Sequence, residues 1–222
     1  MKAQLLLVVN VLFVSTLLAG VKTSVTDGNW FDANTWSPSG VPFQEDTVII
    51  DHHVYVDQNE DVGINWLIIN ANDSLTGDSI FGLHGNLKVD GVMNIRVIGV
   101  GDGTTTINNG LIKGSYYTTG NITYDNQGQI RADTLACSEV PFDNHGLIDN
   151  NLVTTSGTFN NYGSVLTAGN LIQSGLFNHL SGAYINANSQ LIISGDFNTL
   201  INSVIVTGNL STSSQLLSLI HI

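Results

Sequence analysis

An all-β, single-stranded parallel β-helix, or β-solenoid, with rungs of about nineteen residues is the fold this sequence predicts. Three observations carry that prediction. Four segments near the C-terminus repeat one another: NLVTTSGTFNNYG from Asn151, NLIQSGLFNHLSG from Asn170, QLIISGDFNTLIN from Gln190 and NLSTSSQLLSLIH from Asn209. Phe142, Phe159, Phe177 and Phe197 recur at nearly the same interval. Helix-forming residues are scarce, while Gly, Asn, Thr, Ser, Val and Ile dominate, a composition of strands joined by tight turns.

The chain opens on Lys2 as its basic start, followed by an apolar stretch from Leu5 to Leu18 broken by Asn10 and the Ser15/Thr16 pair. Residues 1–20 read as a secretory signal peptide cut near Ala19 or Gly20. The stretch falls short of the ~20 apolar residues that a bilayer-spanning helix takes, and no later segment is apolar enough for a membrane helix. The expected location is therefore secreted or outer cell surface. Cys137 is the sole cysteine, so stability is expected from stacked strands rather than a disulfide, with the thiol as a small core hydrophobe.

Six Lys plus Arg against eighteen Asp plus Glu give a formal net charge of -12. Such a surface repels phosphate backbones and offers no basic track, which excludes nucleic acid as a natural partner. It also disfavours anionic membranes and sulfated or uronic polysaccharides unless divalent cations intervene.

Residues 21–61 differ in texture from the later repeats, and they predict an N-terminal β cap. Trp30 and Trp36 stand close together, and Pro38-Ser39-Gly40 with Pro42 predicts a rigid loop. Val48 to Ile50 and Val54 to Val56 read as short strands joined at the polar corner Asp51-His52-His53. A coil needs such a plug, because its first rung would otherwise expose strand edges and apolar interior. The pattern GNWFDANTWSPSGVPFQEDTVIIDHHVYVD, with Trp30, Trp36, Ser37, Gly40, Val41, Pro42, Asp46, Val48 and Ile50 at its marked positions, resembles the start of G8-type domains and related N-terminal modules of exported Bacteroidetes-type β-helix proteins. The resemblance covers about residues 27 to 60. It implies an all-β surface or secreted protein, in some cases joined to polysaccharide-active or adhesive modules, and it supplies no catalytic set.

Residues 62–222 are assigned to solenoid repeats. Leu87, Val89, Gly91, Met93, Ile95 and Val97 alternate with Lys88, Asp90, Asn94 and Arg96, a period of two with one buried side. The offset from Leu67 to Leu87 is one rung. Tyr116 and Tyr117 fall in a less regular stretch read as an insertion projecting from one face, and they are the candidate carbohydrate-contact aromatics. The recurring phenylalanines predict an internal aromatic column, because parallel rungs repeat about every 4.8 Å. Asn144, Asn160, Asn178 and Asn198 follow them closely and predict an amide ladder; Asn160, Asn178 and Asn198 are named with the four phenylalanines as the structural set. Some eight rungs of this rise make a stack on the order of 40 Å. The chain then stops in Leu216, Leu217, Leu219, Ile220 and Ile222, an apolar end expected to self-associate or to meet a partner.

Little in the chain predicts chemistry. Asp57-x-Asn59-x-Asp61 has the rhythm of carboxylate and amide oxygens that would suit Ca²⁺, without the glycine and bidentate glutamate of an EF-hand loop. His52 and His53, as neighbours on a strand, would face opposite ways and make a poor pair for one Zn²⁺, while His145 and His179 read as turn residues. Hydrolysis of a glycan would take two carboxylates about 5 to 10 Å apart across a groove. Asp133, Glu139, Asp143, Asp149 and Asp196 form no such motif, and basic residues end at Arg131. The expected function is a secreted or cell-surface structural or adhesive module without catalysis, its partner a glycan or a cell-surface protein; the alternative is a carbohydrate-binding or polysaccharide-degrading β-helix.

Overall fold

The computed structural model describes residues 19–101, 103–118, 122–200, 202–212 and 216–217. Residues 1–18 of the signal-peptide assignment, and Leu219, Ile220 and Ile222 of the apolar end, lie outside the described residues. What is described is β-strand and turn, with a single 3-10 turn at Ala33–Thr35. No described helix is long and apolar enough to cross a membrane.

The strands form one parallel coil with three faces. The first face stacks Thr47–Ile50, Trp66–Ile69, Asn86–Val89, Thr105–Asn108, Thr123–Asn126, residues 141–144 and 158–161, Leu176–His179 and Phe197–Thr199. Its inward column runs Val48, Leu67, Leu87, Thr106, Tyr124, Phe142, Phe159, Phe177, Phe197. Successive members of that column keep the interval of the sequence repeats, so each repeat is one rung. A second face stacks His53–Tyr55, residues 74–77, 92–95 and 111–113, Gln129–Arg131, Leu147–Asn150, Ser164–Thr167 and residues 184–187 and 204–207. The third carries Glu60–Val62, residues 80–83, 97–100, 116–118, 135–137 and 153–155, Asn170–Gln173 and residues 190–193 and 210–212.

Alternation along each strand puts every second side chain inside, and the apolar ones collect into one continuous core. The alternation does not run unbroken from Leu87 to Val97. The ladder shifts register between Ile95 and Val97, and Ile98, not Val97, is buried. The cause is the corner between the second and third faces, where the chain turns within a continuous strand and one residue, the exposed Arg96, falls out of phase.

One corner column is glycine for a steric reason. A Cβ on Gly128 would lie 2.2 Å from the carbonyl oxygen of Gly110, and one on Gly146 would lie 2.0 Å from that of Gly128. Neighbouring turns of backbone approach too closely there for any side chain.

The cap is continuous with the coil. Val21–Ser24 stacks parallel on Thr47–Ile50 and pairs antiparallel with Trp36–Ser37, so the parallel ladder begins inside the segment 21–61. Trp30 and Trp36 are buried edge to face at 5.2 Å, and Trp30 meets Phe81 of the third face at 5.2 Å. The Trp36 indole N–H donates to the Trp30 carbonyl at 2.9 Å. Asp46 is also buried, its carboxylate accepting from the Gly20 and Phe43 amides, each at 2.9 Å. Of the residues that carry the G8-type resemblance, Trp30, Trp36, Asp46, Val48 and Ile50 are all interior, so these positions build a plug.

Candidate functional site

The aromatic column is internal. Phe142 and Phe159 meet edge to face at 5.2 Å, Phe159 stacks on Phe177 at 5.1 Å, and Phe177 on Phe197 at 5.2 Å. Tyr124 extends it below Phe142, stacked at 4.4 Å. Side chains of this size, each adding roughly 1.5–3 kcal/mol on burial, make the column a main source of stability.

The asparagines form two ladders, not one. Asn160, Asn178 and Asn198 lie on the outside of the first face. Asn160 donates to Asp143 Oδ1 at 2.7 Å, Asn178 to Asn160 at 2.7 Å and Asn198 to Asn178 at 2.9 Å. Asn144 belongs to a different ladder, fully buried, in which Asn108 donates to Asn126, Asn126 to Asn144 and Asn144 to Asn161, each at 2.7 Å. Asn161 Nδ2 then faces Nδ1 of His179 at 3.2 Å, and His179 Nε2 faces the Val204 carbonyl at 3.3 Å. His179 is therefore an interior residue and not the turn residue its sequence context suggests. Burial pulls its pKa down from 6.5 to about 4. The signal for the inner ladder was present in parity: the residues two past Phe142, Phe159 and Phe177 must share their face, which gives Asn144, Asn161 and His179.

Tyr116 is not an exposed aromatic. It lies in Leu111–Thr118, in register with Ile98 and Leu135, and is fully buried, its hydroxyl 3.0 Å from that of Thr106. Desolvation pushes its pKa far up. The strand that holds Tyr116 and Tyr117 is stacked in the coil like its neighbours and does not project from it, and its phase is set by Gly114, held at φ +100 where the chain turns the corner. Tyr117 faces outward and is 40% exposed, between Gly99 and Ala136 on neighbouring rungs. Cys137 lies inside, its thiol pushed up to about 12 by burial.

Asp57, Asn59 and Asp61 are tied to different groups. Asn59 Oδ1 accepts from the Ile80 amide at 2.9 Å, Asp61 Oδ1 lies 2.9 Å from His84 Nε2, and Asp57 is exposed. Among the described residues no three His, Cys, Asp or Glu side chains gather as a metal-holding group. His52 and His53 diverge: Nδ1 of His52 meets the Ser24 carbonyl and Nδ1 of His53 the Ser74 hydroxyl, each at 2.9 Å. Asp143 stands on the first face and Asp149 on the second, so they do not share a groove.

Two depressions mark the outer surface. One follows the glycine corner between the first and second faces, past Gly91, Gly110, Gly128 and Gly146. The other is a notch of about 310 Å³ at the corner between the second and third faces, where Arg131, Ala132 and Asp133 of one rung meet Asp149, Asn150 and Asn151 of the next. Asp133 Oδ1 accepts from Asn151 Nδ2 at 3.2 Å, and Arg131 Nε lies 3.9 Å from Asp149.

No family model matches the chain, and neither a curated protein nor a solved structure is significantly similar to it.

Proposed function

We propose that this chain is a non-catalytic structural or adhesive module, secreted or held at the outer cell surface, which presents three ruled faces to a glycan or a cell-surface protein. The observation that carries the reading is the parallel ladder from the Trp30/Trp36 plug to Phe197, which commits the inward aromatic side chains and both amide ladders to neighbouring rungs. Asp143 and Asp149 stand on separate faces, and the two carboxylates that line one notch, Asp133 and Asp149, lie beside Asn151 and Arg131. The apolar start of the sequence and the G8-like stretch at residues 27 to 60 support export and a surface role. A carbohydrate-binding role on the same scaffold is favoured by one feature, the polar notch beside Arg131.

Two measurements test the reading. Residues 1–20 fused to a reporter active only after export should give signal, and a silent reporter removes the surface assignment. Purified residues 21–222, incubated with neutral and uronic polysaccharides with and without Ca²⁺, should release neither reducing ends nor unsaturated products. Release of either makes the protein an enzyme.

A further inference from the structure

The coil is closed at its start and open at its last described rung. At the start, Val21–Ser24 lies under the first face with Trp36–Ser37 on its other edge, and Gly28–Asn29 lies under His53–Tyr55 of the second face. At the far end, Val204–Thr212 pairs along one edge with residues 184–193, and among the described residues no strand pairs with its other edge. The interior surfaces there. Leu210 stacks in register on the fully buried Leu191 and is itself 46% exposed, while Leu200, Val204 and Val206 of the same rung are also about half exposed. Strand edges that monomeric proteins leave open carry charges, proline or bulges that turn a second strand away. From Phe197 onward the sequence has no Asp, Glu, Lys, Arg or Pro.

Charge and shape together say what meets this edge. All eighteen acidic residues stand at or before Asp196, so a net charge of -12 sets copies apart along their flanks and leaves the open end as a neutral surface on which two of them can meet. A basic partner would be drawn to the flanks instead. Head-to-tail stacking is disfavoured, since the start of the coil is already paired on two faces and bears Glu60 and Asp61 on the third. Tail-to-tail contact fits the form of the end, which is a step: Leu216–Leu217 lies one rung above Phe197 and Asn198 on the first face, while the second and third faces reach only residues 204–207 and 209–212. A two-fold axis through the third face sets residues 209–212 antiparallel to those of a second copy. The same axis carries the raised strand of each copy over the lower residues 204–207 of the other, at the usual strand spacing of about 4.8 Å. We infer that the open end is a self-association surface, through which two copies of this chain form a closed tail-to-tail dimer with Leu210 beside the two-fold axis. This goes beyond the surface-module reading and does not depend on it. The contact spans one cross-section of the coil, about half of the roughly 20–30 residues a side of a standard interface, so dissociation in the micromolar range is expected.

Sedimentation equilibrium of residues 21–222 over a concentration series tests it, and a monomer–dimer equilibrium without larger species is expected. Leu210→Glu sets like charges across the axis and should weaken the dimer at least tenfold, and Leu210→Lys should do the same. Mixing the two variants should restore dimer formation, because each carboxylate then faces an ammonium; a rung that had merely come apart in either variant would not be rescued by mixing. A monomer at every concentration up to millimolar overturns the inference, as do assemblies that grow past the dimer, a dimer that Leu210→Glu leaves intact, or variants that stay monomeric when mixed.

Discussion

Asn160 and Asn161 are neighbours in sequence and identical in chemistry, yet replacing each by alanine should have very different costs. Asn161 is fully buried; it accepts from Asn144 Nδ2 at 2.7 Å and its own Nδ2 faces His179 Nδ1 at 3.2 Å. Asn161→Ala strands the His179 nitrogen in the core and leaves Asn144 Nδ2 with only a longer bond of 3.3 Å to the Ser164 carbonyl. At about 1–3 kcal/mol for a fully orphaned buried group, one such group plus one partly compensated one amounts to roughly 2–5 kcal/mol. Asn160 sits in the outer ladder, donating to Asp143 and accepting from Asn178, both at 2.7 Å, with water at hand to replace it. Asn160→Ala should cost about 0.5–1 kcal/mol. Urea unfolding followed by circular dichroism reads the difference as a shift of midpoint. Because long coils lose rungs piecemeal, hydrogen exchange at residues 141–144 and 176–179 should show the Asn161 variant opening there first. Equal and small effects of the two substitutions would refute the inner ladder as a source of stability.

The same packing sets three further outcomes. Phe159→Ala, which empties the middle of the aromatic column, should lose about 3–5 kcal/mol, measured by the same urea titration. Gly128→Ala should lower the melting temperature far more than Gly182→Ala, since the first drives a Cβ to 2.2 Å from a backbone oxygen while the second, at φ +81, meets nothing within 4 Å and bears only the left-handed strain of about 1 kcal/mol. His179 has its folded pKa pulled down from 6.5 to about 4, so the unfolded chain takes up a proton first as pH falls. Its contribution is whole above pH 6.5 and drains away between 6.5 and about 4, by up to ~3 kcal/mol; His179→Asn, which continues the amide ladder, should flatten that part of the stability-versus-pH curve.

The period was legible because the later rungs repeat a strand, a Ser/Gly corner and a Phe-Asn pair, and each does a job that recurs every turn. It faded before Phe142 because the same inward column is filled there by Leu67, Leu87, Thr106 and Tyr124, which share a place and not a side-chain type. The phase within a rung was harder to read than its length. Continuing the alternation through Arg96 put Val97 inside instead of Ile98, since a corner takes up a residue without leaving a sign in composition. Tyr116 was misplaced for the same reason: its neighbour Tyr117 has the same chemistry, and only the turn at Gly114 decides which ring goes in. The notch was invisible, because it joins residues 131–133 to residues 149–151, one rung apart.

The inner ladder also explains where one of its own costs falls. The column that holds Asn108, Asn126, Asn144 and Asn161 is filled by Ile50, Ile69 and Val89 on the earlier rungs. An amide chain running one way along the coil, each member donating to the next, must begin with an oxygen that no rung below can serve. That oxygen is Asn108 Oδ1, which faces the rung of Val89 and has no partner. At the other end His179 closes the chain by directing Nε2 at the Val204 carbonyl. Lengthening the ladder downward would move the orphan without removing it, so the cost is a property of the ladder and not of Asn108. Against that cost, a one-rung slip that set an amide against an isoleucine would orphan a second buried group, and the apolar columns alone would resist such a slip far less.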